Sequence, residues 1–326
     1  MIDLNCNMFR ESSKSHAPKQ LWKLIMAFLA VFLVIYVAES IIPALVSAKP
    51  MEEALRDQGF LDSDKELTFK QSMTIATEVA MKPNVMIPTL LSTGFGTVIS
   101  LFYCRFFEMR KVTSMGCRKR RAALHYLSGL FMGAAMMSAI VLLTVLFGAN
   151  KLSYVSGSSK LLILMYFVGF LVQGMSEEFI FRGYLMTSVG GNHSPYLAIG
   201  ISSAAFGLAH AANPGISPLA MTNLILYGVF AAVYMIHFDN IWGVCGIHSV
   251  WNFTQGNLYG ISVSGSGQSE SIFRTSQNSS HAFLTGGEFG IEGSIATTIV
   301  LLTGTAIVLL MHKNRLEADK TESAAG

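Results

Sequence analysis

Between residues 161 and 269 only Glu177, Glu178, Arg182 and Asp239 carry a formal charge, and three of them fall within six positions of one apolar run, 161–189. Apolar runs of that length leave few folds open. Hydrocarbon offers the backbone no water to bond, so a spanning segment must close its own hydrogen bonds as a helix or within a closed barrel. Continuous runs of about 20 apolar residues fit the helix, which needs that many to cross about 30 Å of hydrocarbon. An ionisable side chain at such depth costs on the order of 3 kcal/mol and persists where it is paired, wet or functional. The segment MSEEFIFRGYL, residues 175–185, is therefore where chemistry is expected.

With 52% hydrophobic and 13% charged residues and a mean hydropathy of +0.48, the chain reads as an all-α integral membrane protein. Eight transmembrane helices are expected, near 21–47, 84–103, 122–148, 161–189, 195–212, 217–238, 241–259 and 294–311. Residues 1–20 read as a cytosolic leading segment, 21–312 as one polytopic domain with its motif core at 161–257, and 313–326 as a cytosolic tail. The first run follows a basic leader and ends in a passable signal-peptidase site, but it is too long for a signal core and is kept as an anchor. No internal repeat is visible.

Orientation follows from basic residues. Residues 105–121 hold seven Lys/Arg against one acid, whereas 260–292 hold one Arg and three acids, so both termini are expected to be cytosolic. The charged segment 49–82 and the Gly/Ser-rich stretch 262–280 read as external, the latter as a mobile loop without a catalytic part. A net charge of +3, with the basic residues beside apolar runs, gives no reason to expect nucleic acid. Cys6, Cys104, Cys117 and Cys245 show no metal-type spacing and read as thiols. Glu39, near the outer end of the first run, reads as an interfacial carboxylate.

On a helix Glu178 and Arg182 share a face and can pair, while Glu177 is turned about 100° away. One carboxylate can be structural while its neighbour does chemistry. The three charges could equally form a buried ion-pair network that locks helices together. Two further clusters weaken that reading: FGLAH places Phe206 with His210, and HSVWN places His248 with Asn252, both four apart. A single membrane histidine is usually a helix-to-helix hydrogen-bonder, but three polar clusters on neighbouring helices can converge on one point. His237, beside Asp239, is the ordinary kind. No Ser/His/Asp set or GxSxG elbow is present, and Cys245 has no assured base.

Taken in order, Glu177-Glu178…Arg182, Phe206…His210 and His248…Asn252 resemble the motifs of the CPBP (CAAX protease and bacteriocin-processing, or Abi) intramembrane proteases, relatives of the type II CAAX prenyl endopeptidases. The resemblance covers the fourth to seventh runs. It implies an endopeptidase acting on membrane-associated or lipidated peptides. In that scheme Glu177 activates water with help from His210, His248 and Asn252 donate to the oxyanion, and Glu178, Arg182 and Phe206 support the site. No cofactor is required on this reading. Were a divalent metal such as zinc used, its ligands would be Glu177, His210 and His248, although HExxH is absent. Membrane lipid and a peptide substrate are the expected partners, and a bacterial plasma membrane is the expected location. The alternative is a peptide or ion transporter or an immunity protein without catalysis, since buried charges also mark transport paths.

Overall fold

The computed structural model describes residues 2–61, 66–267, 269–278 and 281–325; positions 62–65, 268, 279 and 280 of the expected external segments lie outside the described residues. The chain is mostly helical, at 74%. In order it forms α1 (Asn7–Ser12), α2 (Leu21–Asp57), α3 (Phe69–Ala80), α4 (Pro83–Ser92), α5 (Gly94–Phe102), α6 (Ala122–Leu146), β1 (Asn150–Tyr154), α7 (Lys160–Glu178), α8 (Thr187–Asn192), α9 (Pro195–Ala209), α10 (Pro218–Phe238), α11 (Trp242–Phe253), β2 (Phe273–Gln277), α12 (Ala282–Thr285) and α13 (Ile295–Ala325). π-Helical turns prolong α5 over Tyr103–Phe107 and α11 over Thr254–Leu258, and Phe179–Met186 joins α7 to α8.

Local sequence explains the starts. Ser159, Ser194 and Ser217 each accept a hydrogen bond from the backbone N–H three residues on, and Pro195 and Pro218 occupy first-turn positions where a missing N–H costs nothing. Thr68 and Gln71 close a capping box on α3. Asp239 ends α10 in the left-handed region, and its carboxylate accepts from Met8 N and Asn7 Nδ2 at the start of α1.

Among the described residues six helices are long and apolar enough to span a membrane, which fits a multi-pass membrane protein. The fifth and seventh expected spans coincide with helices too short to be counted among these six. α9 has 15 residues, about 22 Å at 1.5 Å each, because Gly207 to Pro214 turns the chain at His210. α11 has 12 before its π-turn. The first span overruns its expected end: α2 continues through Pro43 and Pro50 to Asp57, since an interior proline removes one hydrogen bond without forcing termination. Large apolar side chains such as Leu29, Leu33, Phe131 and Leu142 stand exposed on α2 and α6, where lipid would cover them.

The all-α reading needs one amendment. β1 and β2 pair antiparallel from Asn150↔Gln277 to Tyr154↔Phe273, tying the segment after α6 to the long segment before α13. That second segment is anchored. Glu292 accepts from Ser264 N, Ser264 Oγ and Gln255 Nε2, and Asn213 Nδ2 donates to Ser264 O. Gly265, at φ +81°, passes so close to the Pro214 carbonyl that a Cβ would collide with it. The stretch expected as a free loop is thus held over the bundle by buried polar partners.

α11 packs between α6 and α7. Gly129 and Gly133 of α6 meet the backbone of α11 at Gly243 and Ile247, and Gly174 of α7 meets it at His248 and Ser249. Small residues at these crossings let backbones approach, the packing device of membrane helices. At the opposite end from the sheet, α1 packs on α8 and on the turn Val112–Met115. There Arg110, fully buried, pairs with Glu108 at 2.8 Å and donates to Thr187 Oγ1, Ser188 Oγ and the Tyr184 carbonyl. The bundle is closed at that end.

Candidate active site

Glu177 and Glu178 are the last two residues of α7, directly before its π-turn. They differ sharply in exposure: the Glu178 side chain is 0% exposed and that of Glu177 is 22%. Glu178 Oε2 lies 3.2 Å from Arg182 Nε, and Glu178 Oε1 lies 2.8 Å from His248 Nδ1. The Arg182 guanidinium sits 4.4 Å from the Phe206 ring centroid and 5.7 Å from that of Tyr227, so two ring faces replace the hydrogen bonds its buried nitrogens lack.

Glu177 points the other way. Its Oε1 accepts from Gln173 Nε2 at 2.5 Å, and Gln173 Oε1 in turn accepts from Asn252 Nδ2 at 2.9 Å. Its Oε2 is buried, makes no hydrogen bond, and faces His248 Nε2 at 3.6 Å and His210 Nε2 at 3.9 Å. His210 is not on a helical face with Phe206. It caps α9, its Nδ1 lying 2.9 Å from the Phe206 carbonyl, which fixes the ring and turns Nε2 inward. All seven residues singled out in the sequence lie in one cluster. Asn252 joins it through Gln173.

Glu177, Gln173, Phe206, His210, His248 and Asn252 form the floor of a cavity of about 620 Å³, with Glu178 and Arg182 buried behind it. Its walls come from Thr89 and Leu90 of α4, Leu224 and Tyr227 of α10, Trp251 of α11, and Val263 to Ser266. Every one of these segments rises toward the sheet end of the bundle.

Gln173, Tyr227 and Trp251 are site residues that the sequence reading passed over. Gln173 precedes Glu177 by four, the same signal that paired the other clusters, but an uncharged amide in an apolar run drew no notice. Glu39 is also placed differently from expectation. Its carboxylate turns into the bundle beside Gly96, where Oε1 lies 2.8 Å from where a Cβ would stand, with Ser176 Oγ and Ile180 alongside. The gap left by Gly96 admits it, so the carboxylate faces the bundle.

As a metal site the cluster does not fit as it stands: among the described residues no group of three His, Cys, Asp or Glu side chains has the geometry to hold an ion. His248 and His210 each anchor Nδ1, on Glu178 and on the Phe206 carbonyl, and keep Nε2 free toward Glu177.

Residues 157–254 match the family model described as Type II CAAX prenyl endopeptidase Rce1-like. This segment is Rce1-like. The match runs from the turn before α7 to the end of α11, so it takes in Glu177, Glu178, Arg182, Phe206, His210, His248 and Asn252, and it agrees with the CAAX-protease resemblance of the motifs. Under a third of the chain is covered. The Rce1-like segment supplies the cavity floor, while α2 to α4 and residues 263–266 build the walls around it from outside the match. No curated protein matches the chain.

Proposed function

We propose that the protein is an intramembrane endopeptidase in which Glu177 activates water against a peptide carbonyl. The observation that carries this is Glu177 Oε2, buried without a hydrogen bond at the floor of a cavity and facing the Nε2 atoms of His248 and His210. Separations of 3.6 and 3.9 Å are too long for direct hydrogen bonds yet short enough for one water to reach all three atoms. Glu177 takes a proton from that water as its oxygen attacks the carbonyl carbon. The tetrahedral oxyanion is met by the Asn252 amide and by Nε2–H of His248 in its doubly protonated form, whose Nδ1–H stays on Glu178, and Glu177 returns the proton to the departing amine nitrogen. Asn252 donates to Gln173 at rest, so it turns to the oxyanion by exchanging that bond.

Glu178 orients His248, and Arg182, stacked on Phe206, holds Glu178. Metal is not needed for any of these steps. The chain folds as eight helical passes in this reading, with α9 and α11 as the short ones and both termini on the cytosolic side.

The test compares the membrane proteome of cells making the chain with that of cells making Glu177→Gln. A peptide bond cleaved only with the unaltered chain supports the assignment. Identical peptide inventories from equal amounts of both proteins, across growth conditions in which the chain is expressed, would sink it.

A further inference from the structure

The cavity has one direction. Beyond its floor, it is lined by the sheet-end halves of α2, α4, α10 and α13, by α3, and by residues 213–214 and 263–266, and no residue of α1, α8 or 108–121 reaches it. The end it opens on carries no basic excess: 49–61, 66–82, 147–160 and 260–292 together hold seven Lys/Arg and eight acids, whereas 105–121 at the closed end carries seven Lys/Arg and one acid. Short basic loops stay cytosolic. A cytosol-facing pocket, the ordinary expectation for an enzyme that trims lipidated C-termini, is therefore inverted here.

The mouth is also apolar. Met51, Val79, Met81, Val85 and Met86 line it, and the one acid on the upper wall, Glu292, is occupied by Ser264 and Gln255. A charged chain entering this passage would lose its water without finding a partner. α3 lies at the rim by its apolar edge: Ile75 and Val79 pack with Val85 against Met51 and Leu55.

Resting on the endopeptidase reading, we propose that the cavity takes an uncharged, apolar peptide segment from the extracytoplasmic side of the membrane. The substrate class is the outer end of a membrane-inserted peptide, not a cytosolic C-terminus.

The experiment uses the full chain with Glu177→Gln, so that binding is read without cleavage, and a single cysteine introduced as Thr89→Cys on the cavity wall. Intact cells and inverted vesicles are treated with a membrane-impermeant thiol reagent. The expected result is modification of Thr89→Cys in intact cells, whereas Lys119→Cys at the closed end is modified only in inverted vesicles. An eight-residue peptide of Ala, Val and Leu should slow modification of Thr89→Cys about tenfold when present at ten times its Kd, as simple occupancy requires. The same peptide carrying two Asp or two Lys should give no protection. Modification of Thr89→Cys from the inverted side alone overturns the orientation, and equal protection by the charged peptides overturns the apolar class. Because no arm depends on hydrolysis, absence of cleavage by the unaltered chain would count against the endopeptidase reading and leave these outcomes standing.

Discussion

Glu178 and His248, 70 residues apart in sequence, meet through Oε1 and Nδ1 at 2.8 Å, and that contact leaves His248 Nε2 aimed at Glu177. A carboxylate on one ring nitrogen of a histidine fixes which nitrogen carries the proton and which faces the chemistry. Glu178 is wholly buried and Glu177 is not, so the two adjacent glutamates divide into a holder and a reactant.

The division predicts distinct kinetics for Glu178→Gln. The amide keeps the shape but removes the carboxylate that supports the doubly protonated ring, so kcat should fall on the order of 10²–10⁴-fold, as at other histidine-orienting carboxylates, with KM little changed. Kinetics on a cleaved membrane peptide check this. A loss confined to KM would place Glu178 in substrate binding.

Arg182→Ala and Glu177→Ala should part company in stability. Removing Arg182 strands Glu178 in an apolar interior, and breaking a buried pair costs about 3–5 kcal/mol. Glu177→Ala removes a charge whose partners are one amide and two imidazoles, and leaves the fold standing. Thermal unfolding in detergent should show a clearly lower Tm for Arg182→Ala alone. Equal Tm with equal loss of activity would make Arg182 a direct participant.

Much of this site was legible because its signals are local. Pairs four apart on helices put Glu178 with Arg182, and one apolar background made each polar cluster conspicuous. The chain could not advertise what depends on three dimensions. Glu39 looks interfacial in a linear window and turns inward only because Gly96 leaves room. Residues 262–266 look like a free loop because their anchors, Glu292, Asn213 and Gln255, are scattered along the sequence. α9 looks longer in the sequence than it is because apolar content runs on through Ala211 and Ala212 after the helix has ended at Ala209.

Gly174→Ala should be inactive although Gly174 touches no substrate. A Cβ there would stand 2.5 Å from Ser249 N and 2.7 Å from Ser249 Cα, and backbone of a packed helix cannot yield as a side chain does. α11 would have to move off α7, carrying His248 from Glu178 and Asn252 from Gln173. A disulfide probe or crystal structure of the variant should show the shift. Activity within twofold of the unaltered chain would mean that this crossing is looser than its geometry.

Topology can be read with introduced thiols, because the native ones are quiet. Burial pushes the Cys6 and Cys117 thiols up to about 12, so almost none is thiolate at pH 8. Ser266→Cys, exposed at the sheet end, should be modified by an impermeant maleimide in intact cells, and Arg120→Cys, exposed at the other end, only after lysis. Ser114, although in the same basic segment, is buried and would stay silent on either side. Modification of both positions from outside would exclude cytosolic termini.

The last prediction separates direct glutamate chemistry from a metal. Zinc ligands sit about 2.0–2.2 Å from the ion, and each ligating histidine must offer a free nitrogen. His248 and His210 anchor Nδ1 on Glu178 and on the Phe206 carbonyl and turn free Nε2 atoms to 3.6 and 3.9 Å from Glu177 Oε2, so the two mechanisms are told apart by metal content and not by these distances. If Glu177 acts on water directly, the protein purified with chelator should keep its cleavage rate, and metal analysis should find well under one equivalent of zinc. His210→Ala should then slow cleavage without altering metal content. If zinc were the electrophile, chelation would abolish cleavage, stoichiometric zinc would restore it, and His210→Ala would release the metal. One tightly held equivalent, lost and regained together with activity, would reassign Glu177 from base to ligand.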